Sequence, residues 1–186
     1  MTLAALLLFW VAPAPAQNPL PQERIRICGA CHGEDGNSLT AGVPSIAGQP
    51  RTFLETQLVL FREGVRPSPQ MQPAVAGLTD PEISAIAGVF AARPARAQAD
   101  RADPPLLERG RAVALRLGCG GCHAADFSGR GQIPRLAAQR EDYLVEAMTA
   151  FRDNRRAGGD TIMADALHGV PDADIRAMAH FFSRAR

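Results

Sequence analysis

Cys28-Gly29-Ala30-Cys31-His32 and Cys119-Gly120-Gly121-Cys122-His123 are one five-residue pattern written twice, 91 positions apart. The copies continue to match beyond it. Pro44-Ser45-Ile46-Ala47-Gly48-Gln49 corresponds to Pro134-Arg135-Leu136-Ala137-Ala138-Gln139 at an offset of 90, and Leu54, Phe61, Arg62 and Arg66 fall on Leu144, Phe151, Arg152 and Arg156 at that same offset. Met71 falls on Met163 at an offset of 92, and an apolar residue follows seven positions after each, Leu78 or Val170. An internal repeat sets the architecture before any single element does, and so small a drift means short loop insertions in a duplicated domain.

Between the copies, residues 91–105 (AARPARAQADRADPP) carry three Pro and mixed charges without apolar periodicity, and read as a linker. The expected division is residues 17–92, a linker at 93–104, and residues 105–186. Each domain then has about 75 to 85 residues, a length that buries a marginal core unless it is stapled or given a cofactor. Within each copy the pattern is helical. Residues 105–117 place Leu106, Arg109 or Gly110, Val113 and Leu117 on one face, with Gly118 as a stop. Apolar residues recur at three- and four-residue steps from Arg51 to Glu63 and from Glu141 to Asp153. A last helix opens at Thr79-Asp80-Pro81-Glu82 and again at Pro171-Asp172-Ala173-Asp174, with acids in the first turn where the helix dipole favours them. Nothing alternates strictly enough for strands, so the fold class is all-α.

Of the 186 residues, 46% are hydrophobic, 21% charged and only 5% aromatic, with 17 Gly, 15 Pro and a net charge of +1. Every basic side chain among the 20 Lys+Arg is Arg. This is a globular composition, and the balanced charge excludes an ordinary nucleic-acid binder. Residues 2–11 (TLAALLLFWV) form an apolar run too short to span a bilayer, which takes about 20 residues. Ala14 and Ala16 then precede a cut before Gln17, so residues 1–16 read as an export signal, although no Lys or Arg comes before the run.

Two Cys separated by two residues and followed at once by His form the attachment signature of c-type haem. The spacing serves the chemistry: two thiols add to the two vinyl groups on one porphyrin edge, and the next side chain points at the iron. Cys28, Cys31, Cys119 and Cys122 are therefore the attachment residues of two covalently bound haem c groups, with His32 and His123 as proximal ligands. The rival readings fit less well. A zinc ribbon does not leave 87 residues between its Cys pairs, and a redox disulfide does not need His at the fifth position twice.

An electron-carrying haem takes a sixth ligand, usually a Met thioether that raises the potential. Met71 in the Pro-rich loop 67–73 and Met163 in the Gly-led loop 158–163 lie at equivalent repeat positions, 39 residues after His32 and 40 after His123, and such loops can fold over a haem face. Met148 and Met178 sit within helical patterns and read as core. His168 and His180 read as helix-surface or partly packed imidazoles, not ligands.

The two attachment sites, Pro44-Ser-Ile-Ala-Gly-Gln49, Phe53-Leu54-x-x-Gln57-Leu58 and Phe61-Arg62-Glu63-Gly64-Val65-Arg66 resemble the two-haem cytochrome c4 family over nearly all of residues 17–186. That resemblance implies two tandem class I cytochrome c domains, each wrapped around a covalent haem. It also implies that the carbonyls of Pro44 and Pro134 accept the proximal His N–H, and that Arg62, Arg66, Arg152 and Arg156 lie near helix ends or haem propionates. The chain departs from the family pattern at Phe53, where Tyr is usual, at Asn154, which replaces the equivalent of Gly64, and in its first helix, which is short and begins at Pro19 to Pro21.

The expected function is periplasmic: single electrons pass between respiratory redox partners such as a membrane oxidase or reductase complex, with peripheral membrane association allowed and no nucleic acid involved. A six-coordinate iron changes charge without changing ligands, so little reorganises on transfer. Four propionates turn the +1 polypeptide to about −3 with both irons reduced and about −1 with both oxidised, so no strongly charged face is expected from totals. The alternatives are a haem subunit of a dehydrogenase complex, or a two-haem enzyme of peroxidase or thiosulfate-oxidising type.

Overall fold

The computed structural model describes residues 22–97, 101–159 and 161–185. The expected signal at 1–16 and the helix start at Pro19 to Pro21 lie outside these. Nine helices run in the order α1 (Gln22–His32), α2 (Arg51–Arg62), α3 (Met71–Val75), α4 (Asp80–Ala91), α5 (Pro104–Arg116), α6 (Cys119–His123), α7 (Glu141–Arg152), α8 (Thr161–Leu167) and α9 (Asp172–Arg184) among the described residues. One isolated bridge, Arg130 with Ile133, is the only extended pairing among them. The all-α expectation holds.

The repeat is visible in the packing. In the N-terminal half α2 lies against α3 and α4, and Leu54, Phe61, Val75, Leu78, Ile83, Ile86 and Phe90 close one core. In the C-terminal half α7 lies against α8 and α9, α5 crosses α9, and Leu144, Met148, Leu167, Ile175, Met178 and Phe182 close another. The copies differ at the attachment motif. Helix α1 runs through it to His32, whereas α5 ends at Arg116 and Gly118, at φ +66°, turns the chain before α6 restarts. Glycine takes that left-handed geometry without a Cβ penalty.

Local chemistry explains the helix ends. Thr79 and Glu82 form a reciprocal capping box on α4: the Glu82 N–H donates to Thr79 Oγ1, and the Thr79 N–H donates to Glu82 Oε2. Asp103 caps α5 by accepting from the Leu106 N–H, with Pro104 and Pro105 where no helical N–H is needed. Helix α9 has no side-chain cap, and its acid Asp174 does other work. Buried at the crossing, it accepts from Arg109 at 2.8 Å and from Arg116 at 3.2 Å, both on α5. Asp174→Ala should cost about 2 kcal/mol, the scale of a charge-assisted hydrogen bond, read as a lower denaturation midpoint.

Two expectations change. Met71 and Met163 do not sit in open loops but on the short helices α3 and α8. Pro73 does not prevent this, because it falls in the first turn of α3, where N–H groups have no intrahelical partner. His180 is buried, not on a helix surface: it accepts from the Asp103 N–H at Nε2 and pairs with Glu141 Oε2 through Nδ1, both at 3.0 Å. It ties α9 to the starts of α5 and α7. His168 is exposed just past α8. Asn154 holds φ +52° where Gly64 holds +70°, so the family departure there is absorbed by a residue that tolerates the left-handed region.

Candidate haem centres

Each proximal histidine is held the same way. His32, at the end of α1, donates from Nδ1 to the Pro44 carbonyl at 2.8 Å, and His123, at the end of α6, donates to the Pro134 carbonyl at 2.8 Å. Both rings are buried, and burial outweighs the carbonyl bond to hold both pKa values below the ordinary histidine value. A neutral imidazole with its proton fixed on Nδ1 presents the Nε2 lone pair, the state a metal ligand needs.

The four cysteines are free thiols, Cys28 and Cys119 half-buried and Cys31 and Cys122 exposed. Burial pushes the Cys28 and Cys119 thiols above their ordinary pKa. No group of His, Cys, Asp and Glu suited to a bare metal ion occurs among the described residues. The donor set thus fits a covalent haem better than zinc or a redox disulfide.

Each candidate methionine shares an apolar cluster with the first cysteine of its own half. Met71 and Cys28 border the core built on Leu54 and Phe90, and Met163 and Cys119 border the core built on Leu144 and Phe182. Met148 and Met178 are buried inside the second core, as core residues.

The four repeated arginines divide into two kinds. Arg62 donates to the Leu78 carbonyl and Asp80, and Arg152 donates to the Val170 carbonyl and Asp172, so each clamps the start of its last helix. Arg66 and Arg156 instead stack on Phe61 and Phe151 and converge from the two halves on Tyr143. Burial lowers the Arg66 pKa and the neighbouring Arg156 adds to it. For Tyr143, burial pushes the phenol up, but Arg156 and Arg66 more than offset this and leave it below its ordinary value.

The halves also meet at four backbone-directed amide contacts that sequence reasoning gave no role. Gln49 Nε2 donates to the Arg135 carbonyl and Gln49 Oε1 accepts from the Arg135 N–H; Gln139 Nε2 donates to the Ser45 carbonyl and Gln139 Oε1 accepts from the Ser45 N–H. The signal was present, since Gln49 and Gln139 end the matched stretch after each His-binding proline. Asp142 accepting from the Gly42 N–H and Arg140 donating to the Ser38 carbonyl extend the contact.

Comparison with known proteins places these features in a family. The cytochrome c family model matches residues 107–185. Cytochrome c4 of Pseudomonas aeruginosa is 31% identical, over 96% of this chain and 94% of its own length. The thiosulfate dehydrogenase electron acceptor of Stutzerimonas stutzeri is 32% identical, over 84% of this chain and 77% of its own. The crystal structure of reduced recombinant cytochrome c4 from Pseudomonas stutzeri superposes with a TM-score of 0.80 at 30% identity, covering 89% of this chain and 96% of that one. The chain belongs to the cytochrome c4 family, two-haem electron carriers with His–Met ligation at both haems.

Proposed function

We propose that Cys28 and Cys31 hold one haem and Cys119 and Cys122 the other, that His32 pairs with Met71 and His123 with Met163 as axial ligands, and that the protein works in the periplasm as a freely exchanging carrier. The observation that carries the histidine half of the ligand assignment is the repeated bond from His Nδ1 to a proline carbonyl at 2.8 Å. With Pro44 and Pro134 as its acceptors, this bond occupies Nδ1 and leaves Nε2 as the nitrogen that would face the iron. Bound haem supplies the one-electron couple. His32 with Met71 and His123 with Met163 would hold the two irons, and an iron so held would offer no open position to a substrate, which weighs against the enzyme alternative.

The unit boundaries follow the repeat: an export signal at 1–16, domains at 17–92 and 105–186, and a linker at 93–104. The first part of that linker lies on the N-terminal domain, where Asn37 donates to the Pro94 carbonyl and Arg96 pairs with Asp35. Arg66 and Arg156, converging on Tyr143, are the proposed propionate partners; Arg62 and Arg152 are occupied as helix clamps. The relative named as an electron acceptor of thiosulfate dehydrogenase supports a dehydrogenase as donor; the proposed acceptor is a membrane oxidase or reductase.

The test of the ligand set is the near-infrared thioether-to-iron absorption of the oxidised holoprotein. Met71→Ala and Met163→Ala should each remove about half of it, and the double variant all of it. Retention of the full band in both single variants would sink the assignment.

A further inference from the structure

We propose that Gln49 and Gln139 are positioning residues that act across the interface, each tuning the axial histidine of the opposite domain through a single peptide unit. The inference rests on the reading of His32 and His123 as iron ligands.

The peptide between Pro44 and Ser45 is engaged at both ends. Its carbonyl accepts from His32 Nδ1 at 2.8 Å, and its N–H donates to Gln139 Oε1 at 2.8 Å. The peptide between Pro134 and Arg135 repeats the arrangement, accepting from His123 Nδ1 at 2.8 Å and donating to Gln49 Oε1 at 2.9 Å. The four partners are related by the same 90-residue offset, so the contact is self-complementary, as across a two-fold axis. Both glutamines are 4% exposed. Their second bonds, from Nε2 to the Ser45 and Arg135 carbonyls at 2.8 and 3.0 Å, fix which way each amide faces, because a flipped amide would oppose donor to donor.

The coupling follows from peptide resonance. An acceptor on the N–H draws that proton and shifts negative charge onto the carbonyl oxygen of the same conjugated unit. Hydrogen bonds in such a chain strengthen one another by about 10–30% per bond. A stronger carbonyl acceptor pulls harder on the His Nδ1–H and leaves Nε2 more electron-rich, which raises ligand basicity and favours the oxidised iron. Removing the glutamine should therefore raise the potential of the haem in the other domain.

The experiment is a spectroelectrochemical titration of full-length two-haem protein carrying Gln139→Leu or Gln49→Leu. The two waves are assigned by which one Met71→Ala displaces. Gln139→Leu should raise the wave of the N-terminal haem, with the oxidised-to-reduced ratio at a fixed poise falling about threefold, less than the full worth of one hydrogen bond. The C-terminal wave should stay in place. Gln49→Leu should do the mirror image, and it carries the test if the Gln139 variant does not assemble. Unmoved potentials, both waves moving together in each variant, or each variant moving only its own domain's wave would overturn the relay while the near-infrared bands stay intact. Absence of those bands from the unsubstituted holoprotein would instead remove the ligand reading, and the relay with it.

Discussion

A Cys28→Ala, Cys31→Ala double variant should be recovered with one covalent haem instead of two, and its N-terminal domain should lose its cooperative melting transition. The two thiols are the expected covalent hold on that side, and the protein core there is small. Eight buried apolar side chains close it, and the half-buried Ile25, Cys28 and Met71 line its border. A domain of this size leaves little margin once a large apolar group is withdrawn, since net stabilities are only about 5–15 kcal/mol. Intact mass and a haemochrome assay count the haems, and calorimetry follows the domain. Cys119→Ala with Cys122→Ala should reproduce the loss in the other half. Two retained covalent haems in either double variant would contradict the attachment assignment.

The second large effect is expected at Gly110. Helix α5 crosses α9 so closely there that an added Cβ would stand 2.0 Å from the Ala177 carbonyl oxygen, 2.6 Å from its carbon and 2.8 Å from Phe181 Cβ. Two of these three are backbone atoms, so no rotamer change relieves the clash and the helices must separate. Gly110→Ala should cost about 3 kcal/mol or more, the upper range for overpacking a core. It should also loosen the Asp174 contacts to Arg109 and Arg116 that span the same crossing. Gly88 on α4 is the control: its nearest neighbour would be Arg51 Cζ at 3.8 Å, and Gly88→Ala should stabilise by up to about 1 kcal/mol from helix propensity. Chemical denaturation of the two holoproteins separates these opposite signs.

Much of this molecule is legible in the chain because duplication doubles each signal. The attachment motif, the spacing to Met71 and Met163, and the acid-led last helices each occur twice, and agreement between copies singles out these methionines over Met148 and Met178. What was not legible depended on contacts distant in sequence. The Pro67–Pro73 stretch looks like loop because Pro is costly inside helices, yet Met71–Val75 is a single helical turn in which Pro73 loses nothing. His180 lies in a helix like any surface histidine, and the linker at Asp103 and α7 at Glu141, both distant in sequence, supply the partners of its buried ring. Gln49 and Gln139 look like polar loop residues until the two halves meet, where a buried amide facing main-chain peptide groups becomes the contact itself.

Both irons are expected to be six-coordinate, His–Met-ligated one-electron carriers. A potentiometric titration of the full holoprotein, followed by visible and near-infrared spectra, tests it most directly. Two one-electron waves at high potential are expected, with low-spin spectra at every poise and a thioether band that falls through both waves as the irons are reduced. A high-spin component, or a wave that passes without loss of thioether absorption, would contradict it.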